Sequence, residues 1–293
     1  MIKSFMKVLL PAVVGLSLAS SVAAQTQPLD LKVFSAEENG FYVSSVLVTG
    51  ETDAVLFDTQ FSRSNALRVA ALALDSGKEL KTIYISQGDP DYYFGIEVLK
   101  QEFPDVKVYA SADTVEHINA TLPKKLETWG PRLGANGPRN PIIPEVYTAD
   151  SIELEGEQLE LVNFNNPEAG MPYVWIPSLK AVVGGVSSYS DDLHVWTADA
   201  ATKAARAAWV KSLDAMLARE PEVVVPGHQT AGSKLDSSSL VYTRDYLLYF
   251  EQALDKSSNS AELIDIMKKA YPDAGLGIAL EIGAKVNTGE MTW

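Results

Sequence analysis

Residues Thr82 to Gly95, TIYISQGDPDYYFG, constrain the fold more than any other stretch of this chain. Ile83, Tyr84 and Ile85 form a short β-branched and aromatic run of the kind that makes a buried strand. The strand ends at Ser86, and a polar loop follows, Gln87-Gly88-Asp89-Pro90-Asp91. Pro90 has no N–H for a sheet ladder and biases Asp89 away from helix, so the loop has a defined shape. A helix is expected from about Tyr92, with Phe94, Ile96, Val98 and Leu99 as its apolar positions. Two carboxylates, an amide and a phenol are thereby gathered at the C-terminal end of a strand, where α/β folds place their sites.

The remaining pattern alternates strands and helices. Strands are expected at Lys32–Ser35, Phe41–Val48, Ala54–Phe57, Val106–Ala110, Ile152–Leu154, Gln158–Phe164, Tyr173–Ile176, Ala181–Val183 and Val223–Val225. Ser62 or Ser64 is placed to cap a helix with Ala66, Leu67, Val69, Ala70, Leu72 and Leu74 on its apolar face, closed by Gly77. Ser111 is placed to cap another, with Val115, Ile118 and Leu122 inward. Asp199 is read as the cap of a long amphipathic helix ending at Leu217, and three more helices follow Leu240. Pro123 to Pro144 is rich in Gly and Pro and reads as a long surface loop, either a lid or a plain connection.

The Ser86–Gly95 stretch resembles the strand-end motif of the metallo-β-lactamase superfamily, His-x-His-x-Asp-His before a Gly-containing helix start. The matching positions here are Gln87, Asp89, Asp91 and Tyr92, of which Asp91 keeps the family residue. VVVPGHQT, with His228 after Pro226-Gly227, is similar to a late metal-ligand motif of the same family. The resemblance covers roughly Val33 to Thr230 and implies an α/β (α+β) fold, a four-layer αββα sandwich. Periodicity alone would allow other α/β folds.

The family's middle histidine has no counterpart: that region reads NFNNPEAG, with Asn163, Asn165 and Asn166 as the near candidates. The bridging Asp position, after the AVV strand, is Gly185. The resemblance therefore implies at most one metal site, built from Asp89, Asp91 and His228, taking one divalent ion (zinc, manganese or iron) or none. Asp91 and His228 are the candidate catalytic residues; Gln87, Tyr92, His194 and Trp196 are candidates for the pocket wall. The alternatives are loop hydrogen bonding for Asp89 and Asp91, a fixed buried role for His228, and a surface loop for His194. His117 falls on a helix and reads as structural. No P-loop, dinucleotide fingerprint, Gly-x-Ser-x-Gly elbow or His-Glu-x-x-His motif is present.

Lys3 and Lys7, the apolar run Val8–Ala19 and the small residues Ser21-Val22-Ala23-Ala24 have the form of a signal peptide cut before Gln25. The expectation is a periplasmic or secreted protein with one domain over residues 25–293. It has no cysteine, so neither a disulfide nor a lipoprotein attachment is available. Without Lys3 and Lys7 the 24 basic residues become 22 against 38 acidic ones, a net charge of −16. Such a surface repels phosphate backbones and anionic lipid, so neither nucleic acid nor membrane is an expected partner. The sequence sets no oligomeric state. Two functions follow: an exported hydrolase with an altered metal site, acting on a small ester, lactone, amide or phosphoester, or a non-catalytic descendant that binds a ligand or partner in the old pocket.

Overall fold

The computed structural model describes Met1 and residues 28–293; the expected signal peptide and its cut before Gln25 lie outside the described residues. One sheet has six strands in chain order: β1 (Asp30–Ser35), β2 (Ser44–Thr49), β3 (Asp53–Phe57), β4 (Glu79–Ile85), β5 (Lys107–Ala110) and β6 (Glu145–Val146). β2 pairs antiparallel with β1, across a connection that holds a 3₁₀ turn (Glu38–Gly40), and with β3, across a short turn. From β3 to β6 the pairing is parallel. A parallel neighbour needs a crossover, and helices supply it: α1 (Arg63–Asp75), the short α2 (Pro90–Tyr93) with α3 (Ile96–Glu102), and α4 (Ala112–Leu133).

The second sheet contains β7 (Ser151–Leu154), β8 (Glu157–Val162), β9 (Tyr173–Ile176), β10 (Ala181–Val183) and β11 (Val223–Val224), in spatial order β11-β10-β9-β8-β7. Glu155 and Gly156, both at positive φ (51° and 89°), make the two-residue turn of the β7–β8 hairpin, a backbone shape that Gly tolerates without a Cβ penalty. The Glu155 carboxylate also accepts from the backbone N–H groups of Glu51, Thr52 and Asp53 at 2.6, 2.7 and 2.8 Å, joining one end of the two sheets. α5 (Lys203–Leu217) crosses from β10 to the parallel β11, and α6 (Ser238–Leu254), α7 (Ser260–Ala270) and α8 (Gly277–Asn287) complete the chain.

Alternation along the strands assigns the layers. Val46, Val48, Val55, Phe57 and Tyr84 point between the sheets, against Ile152, Leu159, Leu161, Val174, Ile176 and Val183. Their neighbours Leu47, Leu56, Ile83 and Ile85 point outward under α1, α3 and α4. On the far side Trp175 and Val182 meet Trp209, Leu213, Tyr246 and Phe250 of α5 and α6. Each fully buried aliphatic or aromatic side chain contributes about 1.5–3 kcal/mol, so three apolar layers stabilise a fold that has no disulfide. The architecture is the expected four-layer αββα sandwich.

Two expectations need correction. The stretch from Pro123 is not all loop: α4 runs through Pro123 and Pro131 to Leu133. Pro123 removes one backbone bond at a cost of about 3 kcal/mol. The apolar series Val115, Ile118, Leu122, Leu126, Trp129, Leu133 continues unbroken at helical spacing and packs on the first sheet's outer core, which offsets that cost. Asp199 is also not the cap of α5. It lies in a separate 3₁₀ turn, and the cap is Thr202, whose Oγ1 accepts from the Ala205 N–H at 3.1 Å.

Candidate functional site

The first half of the site is the loop after β4, held from below by the end of β3. Asp58 sits at positive φ (64°) and is buried. Its carboxylate accepts from the Ser86 N–H at 2.8 Å and the Ser86 hydroxyl at 2.6 Å. Burial pushes its pKa up to about 7 despite those two bonds. Thr59 donates from N and Oγ1 to the Tyr92 carbonyl at 2.7 and 2.9 Å, and the Gly95 N–H donates to Gln60 at 2.9 Å. Gly95 has to be Gly: a Cβ there would lie inside the Thr59 carbonyl. This stitching turns Asp91 and Tyr92 inward, to 8% and 1% exposure.

The second half is the loop after β11. His228 is 5% exposed. Its Nδ1 lies 2.8 Å from the Phe41 carbonyl, which can only accept, so Nδ1 carries the proton. Burial lowers its pKa to about 4, so the ring is neutral and Nε2 is an acceptor. The Tyr92 hydroxyl donates to that Nε2 at 2.9 Å. Tyr189 stacks on the imidazole with centroids 4.9 Å apart and planes 13° from parallel. Gly227 allows the approach, since a Cβ would strike the Gly185 carbonyl and come within 3.2 Å of the Tyr92 hydroxyl. An Asp91 carboxylate oxygen ends 4.0 Å from His228 Nε2. Burial first, and the nearby Asp89 charge second, hold the Asp91 pKa well above the usual carboxylate range.

The structure thus brings together Asp91, Tyr92 and His228 across the 226–228 and 86–92 loops. The other sequence candidates take other partners. Asp89 pairs with Lys125 of α4 at 2.6 Å. The Gln87 side chain folds back on its own loop, accepting from the Gly88 N–H at 3.2 Å. His194 is buried with Nδ1 3.0 Å from the Tyr246 hydroxyl of α6, so its partner lies in the outer helical layer. Trp196 packs against Trp293 at 5.1 Å, beside Asp199. Asn163 donates to the Met171 carbonyl, and Asn165 to the Thr148 and Ala149 carbonyls. Sequence reasoning missed Tyr189, Lys125 and the partnership of Asp58 with Ser86. Only Lys125 left a readable signal, the helical spacing that continues past Pro123.

These residues do not fit a two-metal centre. Among the described residues no three His, Cys, Asp or Glu side chains gather to hold an ion. The Nε2 lone pair that His228 would offer is taken by Tyr92. At Gly185, φ is +79° and a Cβ would run into the Pro172 carbonyl, so the position cannot bear a bridging carboxylate without moving backbone. A single ion between Asp91 and His228 requires the Tyr92 hydroxyl to leave first.

A family model for the metallo-beta-lactamase superfamily matches residues 39–228. Among solved structures, a crystal structure of the DIM-1 metallo-beta-lactamase is similar with a TM-score of 0.53 at 19% identity, covering 77% of this chain and 97% of that one. The metallo-beta-lactamase from Pontibacter korlensis gives 0.51 at 20% identity, covering 75% and 95%. At such identities the likeness concerns the fold. A search of curated proteins finds no match.

Proposed function

Because the chain belongs to the metallo-beta-lactamase superfamily, whose members are mostly metallo-hydrolases, we propose that it keeps that scaffold without the two-metal reaction and binds a small ligand beside the Asp91–Tyr92–His228 cluster. One observation carries the reading: the Tyr92 hydroxyl, 2.9 Å from His228 Nε2, satisfies the imidazole that a metal would need. Trp196, Trp293 and Asp199, around the buried Tyr189, offer an aromatic and acidic rim for the ligand. The acidic chain makes nucleic acid and anionic membrane poor partners. Among the described residues no helix is long and apolar enough to cross a membrane.

The 4.0 Å separation of Asp91 and His228 supports a second reading, a hydrolase of small esters, lactones, amides or phosphoesters with one divalent ion between these two side chains. Metal content and turnover distinguish the two. Dialysed protein should hold no stoichiometric zinc, manganese or iron and should give no metal-dependent turnover on a panel of those four bond types. One tightly held ion, with turnover abolished by Asp91→Asn, would establish the hydrolase instead. Export is part of the proposal: the periplasmic or secreted protein should begin at Gln25, and an N-terminal sequence starting at Met1 in that fraction would refute it.

A further inference from the structure

The Lys125–Asp89 ion pair stands outside the Asp91–Tyr92–His228 cluster. The Lys125 ammonium lies 2.6 Å from Asp89 Oδ1, 2.9 Å from the Gly88 carbonyl oxygen and 3.1 Å from His117 Nε2. An ammonium has three protons and no lone pair, so each of the three neighbours is an acceptor and each proton has one partner. A carboxylate oxygen, a carbonyl oxygen and an imidazole nitrogen around one point are also donors that a divalent cation accepts. Asp89 stands where the family motif has an imidazole, and the nitrogen of Lys125 is the positive charge bound to it. His117 and Lys125 lie on one face of α4, and the His117 ring is packed against Gly88. The side chain of Lys125 is only 15% exposed. Burial raises the pKa of Asp91 and of Asp199, and the Lys125 charge opposes that rise, so it acts on the site beyond its own ion pair.

We propose that Lys125 is the resident cation of this site: its ammonium fills the donor set of Asp89, the Gly88 carbonyl and His117, and so keeps divalent metal out. The proposal rests on the metal-free reading above. It differs from a simple helix-to-loop ion pair, which predicts lost stability on substitution and nothing more.

The test uses chelator-treated protein, Lys125→Met and Lys125→Ala, titrated with Zn²⁺ and with Mn²⁺. Calorimetry, melting temperature and the His117 ring resonances (with Zn²⁺) are followed. Removing the ammonium should open the donor set. Each variant should take up one ion, with the His117 signals shifted and the melting temperature raised as the ion saturates. Propylammonium should compete with that ion in Lys125→Ala, and a further His117→Ala change should abolish uptake. Folded variants that take up no ion at His117 would overturn the proposal. The unaltered protein provides a test even where neither variant folds: its His117 resonances should not move with Zn²⁺, and a stoichiometric shift there would overturn the proposal directly. Zn²⁺ that shifts His228 alone counts against the metal-free function and not against the role of Lys125.

Discussion

The two loops that meet at the site are held by different forces. The 86–92 loop is held by charge and hydrogen bonds: Ser86 on Asp58, Asp89 on Lys125, Thr59 on the Tyr92 carbonyl. The 226–228 loop adds to its own hydrogen bonds close backbone packing and a stacked ring, with Gly227 against Gly185 and Tyr189 over His228. The first, with several polar partners, should tolerate the loss of one. The second has no room to change. Three positions where the sequence departs from the family motif, Gln87, Asp89 and Tyr92, lie on the first loop, Gly185 packs against the second, and His228 on the second keeps the motif residue.

Gly227→Ala is the harshest way to break the contrast. The new Cβ would meet the Gly185 carbonyl, which is backbone and cannot rotate away. Denaturant unfolding should show a loss of about 3 kcal/mol or more, at the upper end of overpacking costs. A loss below about 1 kcal/mol would mean that the second loop yields as easily as the first.

The pH response also separates the two, because Asp58, which anchors the first loop through Ser86, and His228, on the second, titrate with opposite sign. Burial raises the folded pKa of Asp58 from 3.8 to about 7, so the folded chain keeps a proton that the unfolded chain has lost. That stability is fully present below about pH 4 and is lost as pH climbs towards about 7. His228 is lowered from 6.5 to about 4, so the unfolded chain takes up the proton first, and its stability is lost as pH falls through that window. Asp58→Asn should therefore gain about 3 kcal/mol on the unaltered protein between about pH 5 and about pH 8. Thermal melts of both proteins across that range check it; a constant difference would mean that Asp58 is ionised in the folded state throughout.

Substitutions within the cluster come third. His228→Ala leaves the half-buried Phe41 carbonyl and the buried Tyr92 hydroxyl without these partners and should cost about 2–3 kcal/mol. Asp91→Asn removes a charge that burial opposes, so near neutral pH its melting temperature should match or exceed that of the unaltered protein. Equal losses from the two would show a hydrogen-bonded pair, contrary to their 4.0 Å separation.

The layered fold could be read from the chain because strand periodicity and turn chemistry are local. The alternation that sends Val46 and Val48 inward and Leu47 outward, and the Glu155-Gly156 turn, need no distant partner to be recognised. The meeting of Asp91 and His228 was readable only through the family resemblance, since nothing local links positions so far apart. Three features were out of reach or misread. The partnership of Asp58 with Ser86 joins two strand ends that become neighbours only when β3 and β4 pair. The Tyr92 hydroxyl on His228 depends on a ring orientation that no sequence pattern encodes. Lys125 was hidden because two prolines suggested a loop where the apolar spacing of α4 prevails.

The smallest expected effect comes from Gly88→Ala, the counterpart of Gly227→Ala on the first loop. A Cβ at Gly88 would approach the His117 Cδ2 to 2.6 Å, which is too close to stay. The obstacle is the far end of a side chain on an exposed helix face, however, and the ring can rotate away. The price is the hydrogen bond from Lys125 to His117 Nε2, while the shorter bond from Lys125 to Asp89 remains. The loss should be about 1 kcal/mol or less. It should appear mainly as a His117 pKa that rises towards the ordinary value, because the ring leaves both the burial and the ammonium that now lower it. Histidine titration by NMR reads that rise directly. A loss as large as that of Gly227→Ala, with the His117 titration unchanged, would place the rigid contact on the first loop as well and erase the distinction between the two.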